Sequence, residues 1–393
     1  MKVENAVKNK ILNRLNSIEF VVSEKCQNAC KYCYRVKKHN SSTVNYINPE
    51  NAYIYLNNFC ELFNVDKDYF KTLGLELFGG DALVDYVKFK RLLEICMNDY
   101  EFNHMVIPTN SRLLNELNTY DILELLNIGK RLAFSLSVDG APADCQRPLS
   151  KYGRMLSYEE KINYDRLINL SKKHSFGFHP MFSFDNFDIW YDTFIFFAEQ
   201  EVYPYLLEVR HPIDNESALQ CVLQLKRIRQ YVDTLDKPFL RKQLNTIYSS
   251  RVPRGLGCSA HTTFTIMPNG DVPFCHRVVD PPWVSLNILT KEWDTSKHIT
   301  LISGHHHSNH PICMICPVRS VCTGQCAGAS YEYWGDPWIP INSICNYILL
   351  KYYVFIKLFD DWKANANHTN IKELEQKVFN IFGEDKVKEI LND

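Results

Sequence analysis

A chain of 393 residues with 46% hydrophobic, 23% charged and 13% aromatic residues has the composition of a folded protein. This excludes a disordered, collagen-like or coiled-coil chain. The 44 Lys and Arg residues are balanced by 45 Asp and Glu residues, so a net charge of -1 offers no overall basic field to nucleic acid or to an anionic membrane. The length fits one large domain or two domains.

No apolar run approaches the roughly 20 residues of a membrane span, and the nearest, residues 347–359, is interrupted by Lys351 and Lys357. The N-terminus lacks the apolar core and cleavage site of a secretory signal. We therefore expect a cytoplasmic protein without a membrane or nucleic-acid partner. In a reducing compartment, closely spaced cysteines are more often metal ligands or catalytic groups than disulfides. The sequence contains 14 cysteines.

Short apolar runs alternate with amphipathic stretches in the first 250 residues. The predicted strands are residues 17–23, 74–80, 104–110, 132–140, 176–183 and 205–212. The predicted helices are residues 49–65, 86–100, 113–130, 157–174, 191–201 and 217–250. Six strand–helix repeats predict an α/β fold with a parallel sheet and right-handed crossovers, either open or curled toward a barrel.

The first cysteine cluster is Cys26, Cys30 and Cys33, which have C-x3-C-x2-C spacing directly after the first predicted strand. Structural zinc sites normally use four protein ligands, whereas three cysteines on one short loop leave a coordination position open. In a 4Fe-4S cluster, the open iron could take a small-molecule ligand. A zinc knuckle completed by a distant residue is the alternative at this point.

A second cysteine-rich region follows a Gly/Pro-rich linker at residues 251–257. Its seven spaced cysteines are Cys258, Cys275, Cys313, Cys316, Cys322, Cys326 and Cys345. Seven ligands suit two clusters, one of which lacks a fourth cysteine, and zinc-ribbon pairs are the alternative. We expect this loop-rich region to fold around metal.

Polar residues follow several of the predicted strands. The cysteine loop follows the first strand, Gly79-Gly80-Asp81 ends the second, Asn110 ends the third and Ser137 lies at the end of the fourth. Because loops at the carboxyl ends of parallel strands build active sites, we expect these residues to ring one mouth.

The C-x3-C-x-aromatic-C motif, with Tyr32 as the aromatic residue, resembles the signature of radical S-adenosylmethionine (SAM) enzymes. The family usually has Gly-Gly-Glu where this chain has Gly79-Gly80-Asp81, a segment that binds the methionine amino group. The resemblance covers roughly the first 245 residues and implies a partial (β/α)6 barrel. It implies that the cofactor pocket is lined by Tyr32, Gly79, Gly80, Asp81, Asn110, Ser137 and Arg147.

The cysteine-rich region resembles the SPASM extension of this family. The resemblance implies a first auxiliary cluster on Cys258, Cys275 and Cys326 and a second on Cys313, Cys316, Cys322 and Cys345. The implied cofactors are SAM and three 4Fe-4S clusters. The expected organisation is an N-terminal segment (1–16), a radical SAM partial barrel (17–250), a SPASM domain (251–357) and a C-terminal helical tail (358–393).

Enzymes with this extension mostly modify peptides or proteins. The resemblance implies a peptide maturase that cleaves SAM to a 5'-deoxyadenosyl radical and abstracts hydrogen from a ribosomally made precursor peptide. The outcome would be a thioether or carbon–carbon crosslink, epimerisation or excision. His276, directly after Cys275, is a candidate catalytic residue that either accepts a proton or donates a hydrogen bond to a cluster sulfur.

The expected partners are the precursor peptide and an electron donor such as flavodoxin or ferredoxin. Because only some 16 residues precede the first predicted strand, leader capture would use either a separate leader-recognition protein or the barrel itself. Three other functions stay open at this stage. They are a radical SAM dehydrogenase of a small molecule, an anaerobic sulfatase-type maturase and a non-enzymatic iron–sulfur or zinc scaffold.

Overall fold

A computed structural model of the chain describes residues 2–28, 30, 32–34, 46–128, 131–138, 164–174, 176–184, 186–204, 207–209, 211–235, 237, 240, 262–279, 283–299, 310–319, 322, 324–366 and 369–393. The chain divides into two compact units. The first comprises Met1–His179 and Ser259–Gly304, and the second comprises Pro180–Cys258 and His305–Asp393.

The described strands are β1 (Ser17–Ser23), β2 (Gly74–Gly79), β3 (His104–Thr109), β4 (Leu132–Val138), β5 (Phe176–Ser183), β6 (Leu207–Val209), β7 (Thr263–Ile266), β8 (Asp271–Pro273), β9 (Val284–Asn287) and β10 (Glu292–Trp293). The described α-helices are α1 (Lys2–Leu12), α2 (Asn51–Phe63), α3 (Tyr86–Glu94), α4 (Arg112–Glu116), α5 (Thr119–Ile128), α6 (Tyr164–Ser171), α7 (Trp190–Glu199), α8 (Asn215–Thr234), α9 (Thr295–Ile299), α10 (Pro311–Met314), α11 (Ala327–Trp334), α12 (Asn342–Leu358), α13 (Asp360–Asn365), α14 (Ile371–Phe382) and α15 (Glu384–Asn392).

The first six strands lie side by side in chain order, so all six predicted strands are present. The described pairings of β1 with β2, β2 with β3 and β3 with β4 are parallel. Parallel neighbours need long crossover connections, which the intervening helices provide. In the first unit β1 carries a mostly buried run of apolar side chains, as expected of a strand covered on both faces.

A seventh strand, β7, extends this sheet and was not among the predicted strands. It pairs in parallel with β1 from Ser17 opposite Thr263 to Phe20 opposite Ile266. The hydroxyl groups of Ser17 and Thr263 lie 3.0 Å apart. Strands β8, β9 and β10 then form a small antiparallel sheet in the same unit. The predicted domain boundaries, 1–16, 17–250, 251–357 and 358–393, stay a prediction.

Two predicted helices are divided in the structure. The helix predicted over residues 113–130 is two helices, α4 and α5. Asn118 separates them because its side-chain oxygen accepts a hydrogen bond from the Asp121 N–H at 2.9 Å and caps the start of α5. The helix predicted over residues 86–100 is α-helical to Glu94 and π-helical from Ile95 to Asp99. The predicted N-terminal half of the helix at 157–174 lies outside the described residues.

The core of the second unit is centred on α12, which is apolar around most of its circumference. Tyr347, Leu350 and Val354 are among its buried side chains, and helices α7, α8, α14 and α15 contribute to the same core. A helix that is hydrophobic all round belongs inside a core. The one buried cation on α12, Lys351, lies with its ammonium nitrogen 5.0 Å from the centre of the Tyr347 ring.

Among the described residues, none of the helices has both the length and the apolarity required to cross a membrane.

Candidate active site

The Gly-Gly-Asp segment at the end of β2 packs directly against the start of the cysteine loop. The Gly80 N–H donates to the Ser23 carbonyl at 2.8 Å, and the Asp81 N–H donates to the Lys25 carbonyl at 2.9 Å. A Cβ on Gly79 would lie 2.0 Å from the Ser23 oxygen, and Gly79 has a φ of +152°. Glycine is therefore required for the backbone of β2 to hold the cysteine loop in place.

The Asp81 carboxylate connects the ends of β2 and β3. Its Oδ1 accepts a hydrogen bond from the Leu83 N–H at 2.9 Å. Its Oδ2 accepts from the Thr109 hydroxyl at 2.9 Å and from the Asn110 N–H at 2.8 Å. The side chain is only 1% exposed. Asp81 thus fixes the position of Asn110 beside the cysteine loop, and both carboxylate oxygens are bonded within the protein.

Cys26 is half-buried, and its sulfur accepts hydrogen bonds. The donors are the Asn28 N–H and the Asn110 side-chain amide, each at 3.4 Å from Sγ. Burial raises the pKa of Cys26 to about 12, and the negative charge of Asp81 contributes in the same direction. A metal replaces the proton of such a thiol. With Cys30 and Cys33 on the same loop, this donor set fits an iron–sulfur cluster.

Polar atoms around Asn110 fit a small molecule beside this loop. The Asn110 amide nitrogen donates to Gln27 Oε1 at 3.0 Å, and the Arg112 N–H donates to Asn110 Oδ1 at 3.0 Å. In the same network the buried atoms Gln27 Nε2, Asn28 Oδ1 and Arg112 Nη1 have no hydrogen-bond partner among the described residues. Buried polar atoms are almost always bonded in native proteins, so these atoms suit a ligand with hydrogen-bonding groups.

The remaining predicted pocket residues are placed as follows. Ser137 lies on β4, and its carbonyl accepts a hydrogen bond from the Ser111 hydroxyl at 3.4 Å, next to Asn110. Tyr32 is half-buried in the loop between Cys30 and Cys33. Arg147 lies outside the described residues.

His276 is held by Glu19 inside the first unit. The imidazole Nδ1 lies 2.9 Å and 3.1 Å from the two carboxylate oxygens of Glu19, so Nδ1–H is the donor. Glu19 is 2% exposed and also accepts from the Thr265 hydroxyl at 3.0 Å. The Phe78 ring stacks on His276 at 4.2 Å between centroids, and Tyr34 lies at 5.8 Å.

A second glutamate, Glu76, lies beside this pair. It is opposite Glu19 in the register of β1 and β2. Burial raises the pKa of Glu76 to about 7; the charge of Glu19 adds to this shift, and His276 opposes it. The sequence analysis did not identify either glutamate. The available signal was one acidic residue within each apolar strand, SIEFVVS and GLELFG.

A separate thiol cluster lines a cavity within the second unit. Its cysteines are Cys313, Cys316, Cys322 and Cys345, and its apolar walls are Val318, Pro340, Ile348 and Leu349. Burial, together with the neighbouring thiols, raises the pKa of Cys313 to about 11 and that of Cys345 to about 12. We call this group the four-cysteine cavity.

Hydrogen bonds to sulfur are also present in the four-cysteine cavity. The Gly324 N–H donates to Cys322 Sγ at 3.3 Å, and the Gln325 side-chain amide donates to Cys345 Sγ at 2.9 Å. Within the described ranges, no three His, Cys, Asp or Glu side chains gather so as to hold a single metal ion. Four thiols around one cavity, with N–H donors to sulfur, fit a larger iron–sulfur cluster.

The other predicted auxiliary ligands lie in different units or outside the described residues. Cys275 is buried in the first unit, two residues after β8, and Cys326 is half-buried in the second unit at the start of α11. Cys258 lies outside the described residues. The ligand set of the first auxiliary cluster therefore stays a prediction.

Comparisons with known proteins place this geometry in context. No family model matches the sequence. The chain is 22% identical over 348 residues to the radical SAM cyclopropyl synthase TigE of Paramaledivibacter caminithermalis, an alignment covering 82% of this chain and 70% of TigE. It superposes on native anSMEcpe with bound AdoMet with a TM-score of 0.66 and 16% identity, covering 90% of this chain and 99% of anSMEcpe.

It also superposes on SuiB of Streptococcus suis bound to the precursor peptide SuiA. The TM-score is 0.54 at 16% identity, over 87% of this chain and 79% of SuiB. These likenesses confirm the predicted α/β fold with a six-stranded parallel sheet as a partial barrel and a C-terminal region. The resemblance predicted from the cysteine motif is also confirmed: the chain is similar in sequence to the radical SAM cyclopropyl synthase TigE and has the fold of anSMEcpe and SuiB.

Proposed function

We propose that the protein is a radical SAM enzyme that modifies a ribosomally made precursor peptide. The observation that carries this proposal is the cysteine loop itself. Its three thiols lie at the carboxyl end of β1, are positioned by the Gly79-Gly80-Asp81 backbone, and lie beside orphaned polar atoms that suit a ligand. A scaffold protein has no need for unbonded polar atoms next to its metal ligands.

In this proposal Cys26, Cys30 and Cys33 hold a 4Fe-4S cluster. SAM binds beside it, against Gly79, Gly80 and Asn110, with Tyr32, Ser137 and Arg147 completing the pocket. When bound, the cluster and SAM supply the 5'-deoxyadenosyl radical that removes hydrogen from the substrate. The protein supplies orientation: Asp81 positions Asn110, and Gln27 and Arg112 offer polar atoms to SAM.

His276 is the proposed proton acceptor for the substrate. Glu19 holds Nδ1–H and fixes the ring orientation, and Phe78 packs against one ring face. The ring atom that is not bonded to Glu19 is Nε2, which is the atom we assign to proton transfer. A carboxylate that orients the imidazole and stabilises its protonated form is a familiar arrangement for a histidine base.

The four-cysteine cavity is the proposed site of an auxiliary 4Fe-4S cluster on Cys313, Cys316, Cys322 and Cys345. Cys258, Cys275 and Cys326 are the proposed ligands of the other auxiliary cluster, which brings the total to three. Auxiliary clusters could take up the electron that remains on the product. A flavodoxin or ferredoxin is the proposed electron donor to the protein.

The relatives support a peptide substrate. SuiB was solved with the precursor peptide SuiA, and anSMEcpe was solved with AdoMet and the Cp18Cys peptide. We therefore favour a precursor peptide over a small molecule as the substrate.

Anaerobic reconstitution and mass spectrometry test this function. The reconstituted protein is reduced with dithionite in the presence of SAM, and 5'-deoxyadenosine is quantified. Short peptides encoded near the gene are co-expressed anaerobically, and their intact masses are compared with those of the peptides expressed alone.

Release of 5'-deoxyadenosine with a peptide mass change, or with deuterium uptake from heavy water at constant mass, supports the proposal. Loss of two hydrogens indicates a crosslink, a larger loss indicates excision and deuterium uptake indicates epimerisation. Release without any peptide change favours small-molecule dehydrogenation, and no release from iron-loaded protein contradicts a radical SAM function.

A further inference from the structure

Glu19 and Glu76 are neighbours on adjacent strands with opposite surroundings. They are opposite each other in the β1–β2 register. Glu19 is 2% exposed and its carboxylate is bonded to Thr265 and to His276. Glu76 is half-buried, and its carboxylate accepts no hydrogen bond from the residues that the structure describes. One carboxylate is therefore satisfied within the protein, and the other is not.

Both carboxylates lie on the face of the sheet that carries His276. Alternate side chains of a strand share a face, so Glu76 and Phe78 project from the same side of β2. The Phe78 ring stacks on His276, which is bonded to Glu19. Phe78 directly precedes Gly79, which packs against the cysteine loop. Glu76 is thus one side-chain layer below the proposed cofactor pocket.

Among the described residues, His276 is the charged group that favours ionisation of Glu76. On the β1 side it faces Glu19, a like charge, and on the β3 side its register partner is the apolar Val106. His276 favours ionisation of Glu76 but donates its Nδ1–H to Glu19. Glu76 is half-buried beside a like charge, so its ionised carboxylate is unfavourable in the absence of a hydrogen-bond donor, and a donor group of a ligand would relieve this cost.

We propose that Glu76 is a substrate-binding residue on the face of the sheet that carries His276. It accepts a hydrogen bond from an N–H, O–H or ammonium group of the substrate. This inference rests on the proposed function, because it places the substrate on the His276 face of the sheet. It narrows the substrate to a residue that presents a hydrogen-bond donor close to the reacting carbon. Glu19, in contrast, is a positioning residue for His276.

Thermal unfolding of the reconstituted full-length protein tests the unpartnered state of Glu76 without any substrate. The variants are Glu76→Gln, Glu19→Gln and, as a matched control, Glu61→Gln, whose side chain is 70% exposed. Because the pKa of Glu76 is raised from 4.5 to about 7 in the folded protein, ionisation destabilises the fold progressively between these values and fully above them.

We expect Glu76→Gln to raise the Tm by about 2 °C at pH 8 and to lose this gain toward pH 5. Glu19→Gln lowers the Tm because it weakens the bonds to Thr265 and His276, and Glu61→Gln changes nothing. A lower Tm for Glu76→Gln at pH 8 would overturn the proposal, because it would make Glu76 a structural partner.

The second measurement is the amount of modified peptide formed per 5'-deoxyadenosine released. We expect this ratio to fall about tenfold in Glu76→Ala, which removes the acceptor, and less in Glu76→Gln, whose amide oxygen still accepts a hydrogen bond but carries no charge. Glu61→Gln keeps the wild-type ratio. An unchanged ratio in Glu76→Ala overturns the proposal. If the wild-type protein releases no 5'-deoxyadenosine, the proposed function fails. The thermal measurement still tests whether Glu76 is unpartnered in the folded protein.

Discussion

The cysteine loop of the first unit and the four-cysteine cavity of the second unit gather thiols in different ways. In the loop, Cys26, Cys30 and Cys33 come from eight consecutive residues, and the surrounding polar atoms are partly unbonded. In the cavity, three thiols come from one short segment, Cys313 to Cys322, and the fourth, Cys345, comes from α12, while apolar side chains such as Ile348 and Leu349 line part of the walls.

This difference teaches what each site can do. Three ligands and orphaned polar atoms leave room for a polar small molecule, which is what a catalytic cluster requires. Four thiols complete a ligand set. Arg319 and Gln325 also line this cavity, and the Gln325 amide already donates to Cys345 Sγ. Burial raises the cysteine pKa in both sites, so the thiols alone do not separate them. The neighbouring residues do.

The largest expected effect comes from removing one of the cysteines of the cysteine loop, which we call the open site; the four-cysteine cavity is the closed site. Cys26→Ala should reduce 5'-deoxyadenosine release to background because the cluster loses one of its three thiolates, while the circular dichroism spectrum of the fold is retained. Cys60→Ala is the control, since Cys60 is a half-buried residue of α2 away from both sites. If Cys26→Ala released 5'-deoxyadenosine at the wild-type rate, the cysteine loop would not be required for SAM cleavage.

The next largest effect is expected from Gly79→Ala. Its Cβ would lie 2.0 Å from the Ser23 carbonyl oxygen, so β2 and the cysteine loop must move apart. A displacement of this kind can cost about 100-fold in rate, measured as 5'-deoxyadenosine release per iron-loaded protein. Gly177→Ala is the matched control, because its nearest contact would be an ordinary 3.5 Å to His179. Equal rates for the two variants would contradict the packing role of Gly79.

A smaller effect is expected from Asp81→Asn. The amide cannot accept hydrogen bonds at both ends, so at least one of the donors Leu83, Thr109 and Asn110 loses its acceptor. An unsatisfied buried donor costs about 1–3 kcal/mol, which should appear as a lower Tm and a weaker affinity for SAM. Asp68→Asn, at an exposed ion pair, should leave both unchanged. A Tm equal to wild type would show that the Asp81 bonds are dispensable.

The smallest effect is expected in the four-cysteine cavity. The Gln325 amide nitrogen donates to Cys345 Sγ at 2.9 Å and to the Ile341 carbonyl, and the Gln325 amide oxygen accepts from the Ile341 N–H. Gln325→Leu should therefore accelerate iron loss to a chelator about tenfold, with little change in 5'-deoxyadenosine release. Gln376→Leu, on the exposed face of α14, is the control. If Gln325→Leu lost iron as slowly as this control, its bond to sulfur would have no stabilising role.

The features that could be predicted from the sequence are those that depend on residues close together in the chain. Strand and helix alternation, the cysteine spacings and the turn residues after the strands identify the sheet and the cysteine loop. Strand β7 escaped prediction because four residues in a loop-rich region carry no distinctive period and their pairing with β1 spans more than 240 residues. The separation of α4 from α5 depends on one Asn118 cap, which a continuous apolar period obscures.

The site itself was only partly predictable. Gly79, Gly80 and Asn110 follow from the motif. The hydrogen bonds that the Asp81 carboxylate accepts do not, because they require Thr109 and the backbone of the next strand. Glu19 and Glu76 could have been noted as lone acidic residues in apolar strands. Their contrasting roles depend on Thr265 and His276, which are distant in sequence and reach Glu19 only in the folded chain.

The contrast between the open and closed sites is tested most directly by electron paramagnetic resonance of the reduced protein with and without SAM. The spectra of Cys26→Ala and Cys345→Ala are compared after matched anaerobic reconstitution. The account predicts that SAM changes the signal of Cys345→Ala, which keeps the open site, and leaves that of Cys26→Ala unchanged. A SAM-dependent change in Cys26→Ala, or its absence in both wild type and Cys345→Ala, would contradict the assignment of the cysteine loop as the SAM site.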